Sequence, residues 1–311
     1  MRITNRVMNN NLLLNLNRGL TRLDRINNQL GSKKQINVPS DDPVKAGIIL
    51  RTSSSIRETD QYLRNIGSAE SWLDSSDIVM KDVLAVLHRA KELAVNGSSS
   101  HLDNTARQAL ADEVSQLHSN LVQLANSTHG GRYLFAGQRT DTEPFQGGDV
   151  SDTAIAPVIY HGGQGDELEL NFAIGVGVEL DVNMDARELF VGSDGDGGIF
   201  GALRDLYDDL VKTNGDDPGD PVSGDVLQDL DLALDAVLQG VSKLGGKQNR
   251  VELAKERLLD LQLNLTKILS EEQDLDYAEA IMELKMEEFA YRTALSVGAR
   301  IIQPSLVDFL R

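Results

Sequence analysis

Cysteine is absent from the 311 residues of this chain, which excludes disulfide staples, thiolate metal sites and cysteine nucleophiles. Aromatic side chains make up only 5% and tryptophan occurs once, at Trp72, a composition suited to long helices packed through Leu, Val and Ala. No apolar run approaches the length of a membrane span, so no membrane partner is expected. Leu12-Leu13-Leu14, followed by Asn15 and Asn17, is too short for the hydrophobic segment of a secretory leader. Positive charge is scarce too: 30 Lys and Arg stand against 48 Asp and Glu, a formal net charge of −18. Such a balance leaves no basic footprint for nucleic acid.

The charge is unevenly spread. From Asp141 to Asp235 there are 23 acidic residues and three basic ones, Arg187, Arg204 and Lys212, so the rest of the chain is close to neutral. Residues 1–51 hold nine bases and three acids. An acidic middle of this kind reads as a solvated domain that self-repulsion keeps from adhering to its neighbours.

What the chain does have is two long apolar seams. Ile66, Ala69, Leu73, Ser76, Met80, Val83, Leu87, Ala90 and Ala94 step by three and four. So do Leu227, Leu230, Leu234, Val237, Val241 and Leu244, followed by Leu258, Leu261, Leu265 and Ile268. Alternating steps keep one stripe of a helix facing a partner along its whole length. Each seam is the natural partner of the other, and the phase slip near Val251, after Gly245-Gly246, predicts either a change of local supercoiling or a joint. The fold expected is mainly α with a β-rich insertion, in which long N- and C-terminal helices pair in a coiled coil or helical bundle.

The flanks carry further helical signals. Leu12, Leu16, Leu20, Leu23, Ile26 and Leu30 recur at helical spacing among asparagines, which are weak helix formers. That segment is therefore expected to be helical only against a partner. Pro39, Ser40, Asp41, Asp42 and Pro43 form a punctuated linker, with Ser40 or Asp41 as a cap for the helix that follows. Asp103 or Asn104 caps another helix, which His129-Gly130-Gly131 breaks. Arg132 to Gly137 reads as a strand. Ala156 to Tyr160 and Glu167 to Phe172 read as a hairpin across a glycine-rich turn, with a further strand at Val176 to Leu180 and a short helix near Ile199–Val211. Near the C-terminus Met282, Met286 and Phe289 form one stripe and Ile281, Leu284, Tyr291 and Leu295 another, so this helix seeks more than one partner. Pro304 is expected to interrupt it, within an apolar tail that includes Leu306.

No catalytic constellation emerges, and no enzyme, cofactor or metal is expected. The five histidines, at positions 88, 101, 118, 129 and 161, lack metal-ligand spacing. His161 to Gly165 sits between two strands and reads as a turn, unlike a phosphate loop. Gly192 to Gly198 is acidic, but Ile199 stands where a calcium loop beginning at Asp194 needs glycine.

Taken in order along the chain, several segments resemble the flagellin superfamily, and within it the hook-associated proteins of the hook–filament junction. They are Met1-Arg2-Ile3-Thr4, Pro39 to Pro43, Leu124-Ala125-Asn126-Ser127 running into Gly131 to Gly137, and Tyr160-His161-Gly162 through Gly165. Arg187-Glu188-Leu189-Phe190, Gly245-Gly246-Lys247-Gln248-Asn249-Arg250 and the apolar tail complete the set.

The resemblance implies an inner terminal-helix domain of residues 1–38 with 271–311. It implies a helical bundle rod of 39–140 with 225–270, and an acidic outer β-rich domain of 141–224. It further implies an extracellular place in the bacterial flagellum, reached by type III export without a cleaved signal peptide. The implied partners are the first hook-associated protein on the hook side, flagellin on the filament side and copies of the chain itself in a ring. A flagellar export chaperone would bind the C-terminal helix. Leu12, Leu16, Leu20, Leu23, Leu30, Met282, Met286, Phe289, Leu295 and Leu306 would form the subunit-assembly seam. A filament-forming flagellin is the nearest alternative, and a cytosolic coiled-coil module a more distant one.

Overall fold

The structure is a computed structural model that describes residues 5–99, 103–151, 154–163, 169–192, 197–211 and 222–307; the side chains of residues 5, 6, 8, 9 and 300–307 are outside the description. Seven helices are described: α1 (Asn5–Ser32), α2 (Pro43–Gly97), α3 (Asn104–Ala125), α4 (Ala186–Phe190), α5 (Gly198–Val211), α6 (Gly224–Gln273) and α7 (Tyr277–Val307). Between α3 and α4 lie six short strands, β1 (Thr128–His129), β2 (Arg132–Tyr133), β3 (Phe145–Gly147), β4 (Val158–Tyr160), β5 (Asn171–Gly175) and β6 (Val178–Asp181). They pair antiparallel as three separate two-stranded ribbons, β1–β2, β3–β4 and β5–β6. The fold is mainly α with a β-containing insertion, as the seams indicate. Two compact units emerge, one of Met1–Asp60 with Asp260–Arg311, the other of Gln61–Leu259.

The second unit holds the main core. Every member of the first seam, Ile66 through Ala94, is buried on α2. Within this unit α6 runs antiparallel to α2. Lys91 pairs with Asp231, Gln248 donates to Asp74 at 3.2 Å and Lys255 reaches Glu70 at 2.7 and 2.9 Å. At Gly240, Met80 and Met184 come so near that a Cβ would sit 2.8 Å from the Met184 sulfur.

Of the two outcomes expected of the slip near Val251, a joint is not there, and α6 is one continuous helix. Leu244, Val251 and Leu258 are all buried, at unbroken seven-residue steps. What changes is the alternate position, which passes from leucine and valine to Gln248 and Lys255. These two side chains make polar ties across the helix pair, whereas the neighbouring Lys247 reaches off it to Asp181 (2.8 Å) and the Asn183 carbonyl (2.6 Å) at the end of β6. The slip is a change of chemistry in one register.

Asp103 caps α3, its carboxylate accepting from the Ala106 amide at 2.9 Å. Beyond α3 the strand assignments need correction. Only Arg132 and Tyr133 of the 132–137 run form a strand, folded back on Thr128–His129 through Gly130 and Gly131 at φ 59° and 80°. Leu134, Phe135 and Ala136 are all buried. Three consecutive buried side chains cannot belong to a two-stranded ribbon whose alternate residues face solvent. The glycine-rich segment after Tyr160 does not close a hairpin either. Val158–Tyr160 pairs back onto Phe145–Gly147, while Asn171–Gly175 pairs forward onto Val178–Asp181, with Val176-Gly177 as the turn and Gly177 at φ 67°. Glu167 and Leu168 lie outside the described residues, as does most of the Asn214–Gly224 loop.

Aromatics are few but gathered. Phe145 lies 5.2 Å from Tyr160, 5.2 Å from Phe190 and 5.7 Å from Phe200, centroid to centroid. Phe135 joins through Phe190 at 5.6 Å and His118 through Phe200 at 5.5 Å. The motif Arg187-Glu188-Leu189-Phe190 thus contributes an anchor in the short helix α4, capped by Asp185. Burial of Tyr160 pushes its phenol up to about 12.

Candidate assembly surface

The first unit is organised around the two chain ends, and α1 packs against α7. On α1 the covered positions are Leu12, Leu16, Gly19, Leu23, Ile26 and Leu30, and on α7 they are Ala280, Leu284, Glu287, Tyr291, Ala294 and Gly298. Both sets alternate steps of four and three. The helices are antiparallel: Gly19 faces Tyr291, Leu12 faces Gly298, and Arg22 grips Glu287 at 2.7 and 3.1 Å. That carboxylate raises the Arg22 guanidinium above its ordinary value.

At the other end of the helix pair, the turns leaving α1 and entering α7 are stitched together. Gln35 donates to the Gln273 carbonyl at 2.8 Å and Leu275 to the Lys33 carbonyl at 3.2 Å. Lys33 itself has φ 64°, the left-handed conformation that ends many helices. Within the linker Asp42, and not Ser40 or Asp41, caps α2 by accepting from the Val44 and Lys45 amides at 2.9 and 3.1 Å. Pro43 then occupies the first helical position, where no amide proton is needed. Asp41 braces the turn instead. Its carboxylate accepts from the Asn37 and Val38 amides, both at 3.2 Å, and these two N–H groups hold it below the usual carboxylate range.

The candidate seam residues divide into two groups. Leu12, Leu16, Leu23 and Leu30 are half-buried within the helix pair. Leu20, Met282, Met286, Phe289 and Leu295 are exposed, Phe289 by 73% and Met286 by 65%. Gly19 holds the place in the seam that spacing alone gave to Leu20, because strict four–three alternation from Leu16 arrives at position 19. Leu284 and Tyr291 of the second α7 stripe pack against α1, whereas Ile281 and Leu295 stay exposed. The helix continues through Pro304 to Val307, three residues beyond the proline, where loss of one amide donor affects only the final turn. The side chain of Leu306 lies outside the described residues.

Sequence reasoning missed Gly19, Ala280 and Gly298, which carry no hydrophobic signal. Their spacing relative to the leucines was the available clue. No helix among the described residues is long and apolar enough to cross a membrane, and no group of described side chains is arranged to hold a metal ion. The acidic turn at 193–196 is outside the described residues.

Comparison with known proteins matches both helical flanks of the chain. Residues 3–140 match the family described as bacterial flagellin N-terminal helical region, and residues 227–310 match the bacterial flagellin C-terminal helical region. Together the two regions span more than two thirds of the chain. The chain belongs to the flagellin family.

Among similar proteins, flagellar hook-associated protein 3 of Escherichia coli is 26% identical over 280 residues, covering 86% of either chain. A flagellin of Bacillus subtilis is 25% identical over 310 residues, covering 96% of this chain and 94% of that one. The solved structure of a putative flagellar hook-associated protein from Vibrio parahaemolyticus shares the fold, with a TM-score of 0.64 and 21% identity. That match covers 75% of this chain and all of the other.

Proposed function

We propose that this flagellin-family chain is a structural subunit of the bacterial flagellum that adapts the hook to the filament. On this reading it joins the first hook-associated protein on one side to flagellin on the other, as a ring of copies. The observation that carries the reading is the α1–α7 pair with Met282, Met286, Phe289, Leu295 and Leu20 left exposed. A two-helix hairpin buries its seam only halfway, and each further Leu or Phe buried by neighbours contributes roughly 1.5–3 kcal/mol. Completing the terminal domain through neighbouring subunits is the physical basis of assembly. The likeness to flagellar hook-associated protein 3 over most of both chains supports the junction as its station.

The same reading assigns residues 1–38 with 271–311 to an inner layer, 39–140 with 225–270 to a rod and 141–224 to the outside. Export reaches the cell exterior through the flagellar apparatus without a cleaved leader. Before assembly the apolar α7 stripe is the target of an export chaperone, and Leu306 extends the assembly seam. A filament-forming flagellin is the second reading, supported by the match to the Bacillus subtilis flagellin over nearly the whole chain.

Immunogold electron microscopy of intact cells separates the two. A short band of label between hook and filament is expected. Label along the whole filament would establish the flagellin reading instead, and no label on the flagellum would overturn both.

A further inference from the structure

A cleft of about 820 Å³ opens in the first unit between α1 and the linker, and its wall is a ladder of arginines. Arg18, Arg22 and Arg25 step by four and three along α1, opposite Asn37, Val38 and Asp41, and Asp24, which also lines the cleft, accepts from Asn28 at 3.3 Å. Gln29, buried and bonded to the Gln35 carbonyl at 2.7 Å, pins the linker to the helix at one end. Asp41 is committed to two backbone amides, so it stiffens the opposite wall. Only Arg22 is engaged, by Glu287. Arg18 and Arg25 make no hydrogen bond or ion pair with any described residue, and Asp41 is the carboxylate whose field acts with Arg25. Two guanidiniums held on one helix face, in a walled cleft, are a fork-like receptor for carboxylates.

The same unit carries the complementary surface. From Ile268 to Leu284 there are six acidic residues and no basic one: Glu271, Glu272, Asp274, Asp276, Glu279 and Glu283. Asp276 spends one oxygen on the Ala278 and Glu279 amides, which fixes the start of α7. Glu279 and Glu283, one turn apart and exposed, make no ion pair with any described residue, and neither lines the arginine cleft of its own copy.

We propose that the Arg18–Arg25 cleft receives the Glu279–Glu283 ridge of a second copy of this chain. The cleft and ridge are different surfaces, so the contact is head-to-tail, the type that propagates into a ring or a helix. Its ion pairs fix the register between neighbours and weaken with salt, while apolar burial supplies affinity. The proposal rests on the reading of the chain as a ring-forming subunit and names the surfaces that set neighbour spacing.

Charge exchange on the full-length chain tests it, with self-association read by sedimentation at low and high salt. One variant carries Arg18→Glu with Arg25→Glu, the other Glu279→Arg with Glu283→Arg. Each alone is expected to self-associate about tenfold more weakly at low salt, a loss that shrinks as salt rises. An equimolar mixture of the two should recover the original association, because every cleft then meets a ridge of opposite sign. Recovery also shows that both variants fold, and Arg18→Gln with Arg25→Gln gives an intermediate loss. A mixture no stronger than either variant alone, or variants that associate like the unaltered chain, would overturn the proposal and leave the ring standing. An unaltered chain that never self-associates would overturn the proposal, while the ring reading stands or falls on the label between hook and filament.

Discussion

Leu12 packs over Gly298 so closely that a Cβ at the glycine would lie 2.6 Å from the leucine Cδ2. The contact sets the approach of α1 to α7 at one end of their seam, as Gly19 against Tyr291 does one helical repeat further along. Gly298→Val is expected to hold the helices apart. Overpacking of this kind costs about 1–3 kcal/mol. Hydrogen exchange of the α1 amides should accelerate, while the amides of α3 and α5 in the other unit keep their protection. Unchanged exchange in α1 would mean that Leu12 simply swings aside.

The half of this contact that carries a leucine was legible in the sequence, and the half that carries a glycine was not. Periodicity scores side chains for their hydrophobicity, so it found Leu12, Leu16 and Leu23 and then placed Leu20 where the helix places Gly19. The same bias picked out Met282, Met286 and Phe289 of α7 as an apolar line, which the structure leaves exposed, yet gave no sign that Ala280 and Gly298 define the face toward α1. The strands failed for a different reason. Leu134-Phe135-Ala136 has strand composition, but its burial on three consecutive residues comes from the aromatic cluster that forms around Phe145, a set of contacts distant in sequence. The α2 seam was read without error because an unbroken stripe of apolar and small side chains is enough to mark the buried face of a long helix.

Phe289→Asp should leave the free chain almost as stable as before, with a change within about 0.5 kcal/mol, since the ring is 73% exposed. Incorporation at the hook tip should be lost. Leu23→Asp differs, because Leu23 is half-buried between α1 and α7. It should both loosen the first unit, seen as faster protease cleavage of the chain ends, and prevent incorporation. Flagella of normal length from cells producing only the Phe289→Asp chain would refute the role given to that stripe.

Gly245 and Gly246 lie inside α6, and a Cβ added at either would meet nothing within 4 Å. Each glycine therefore costs the helix about 0.5–1 kcal/mol relative to alanine and gains no packing in the free chain. Gly245→Ala and Gly246→Ala should each raise the denaturant midpoint of the second unit. If a neighbouring subunit approaches the helix there, the stabilised chain will assemble poorly despite its sturdier fold. Electron microscopy of complemented cells separates that outcome from normal growth.

His118 supplies a pH dependence with a defined sign. It is buried on α3 against Phe200, its Nδ1 has no hydrogen-bond partner among the described residues, and Gly148 comes close enough that a Cβ would lie 2.8 Å from its Cε1. Burial first, and the positive charge of Arg204 second, lower the imidazole from 6.5 to about 4. In the unfolded chain the ring takes up a proton below 6.5, whereas in the folded chain it stays neutral until about 4. Stability from this group is thus fully present above pH 6.5 and declines as pH falls toward 4, by up to about 3 kcal/mol. The His118→Leu variant removes the titration while keeping an apolar side chain at the α3–α5 contact. The stability of the unaltered chain minus that of the variant should fall steadily through this window and level off below it. A difference that stays constant from pH 7 to pH 4 would show that His118 is protonated alike in both states.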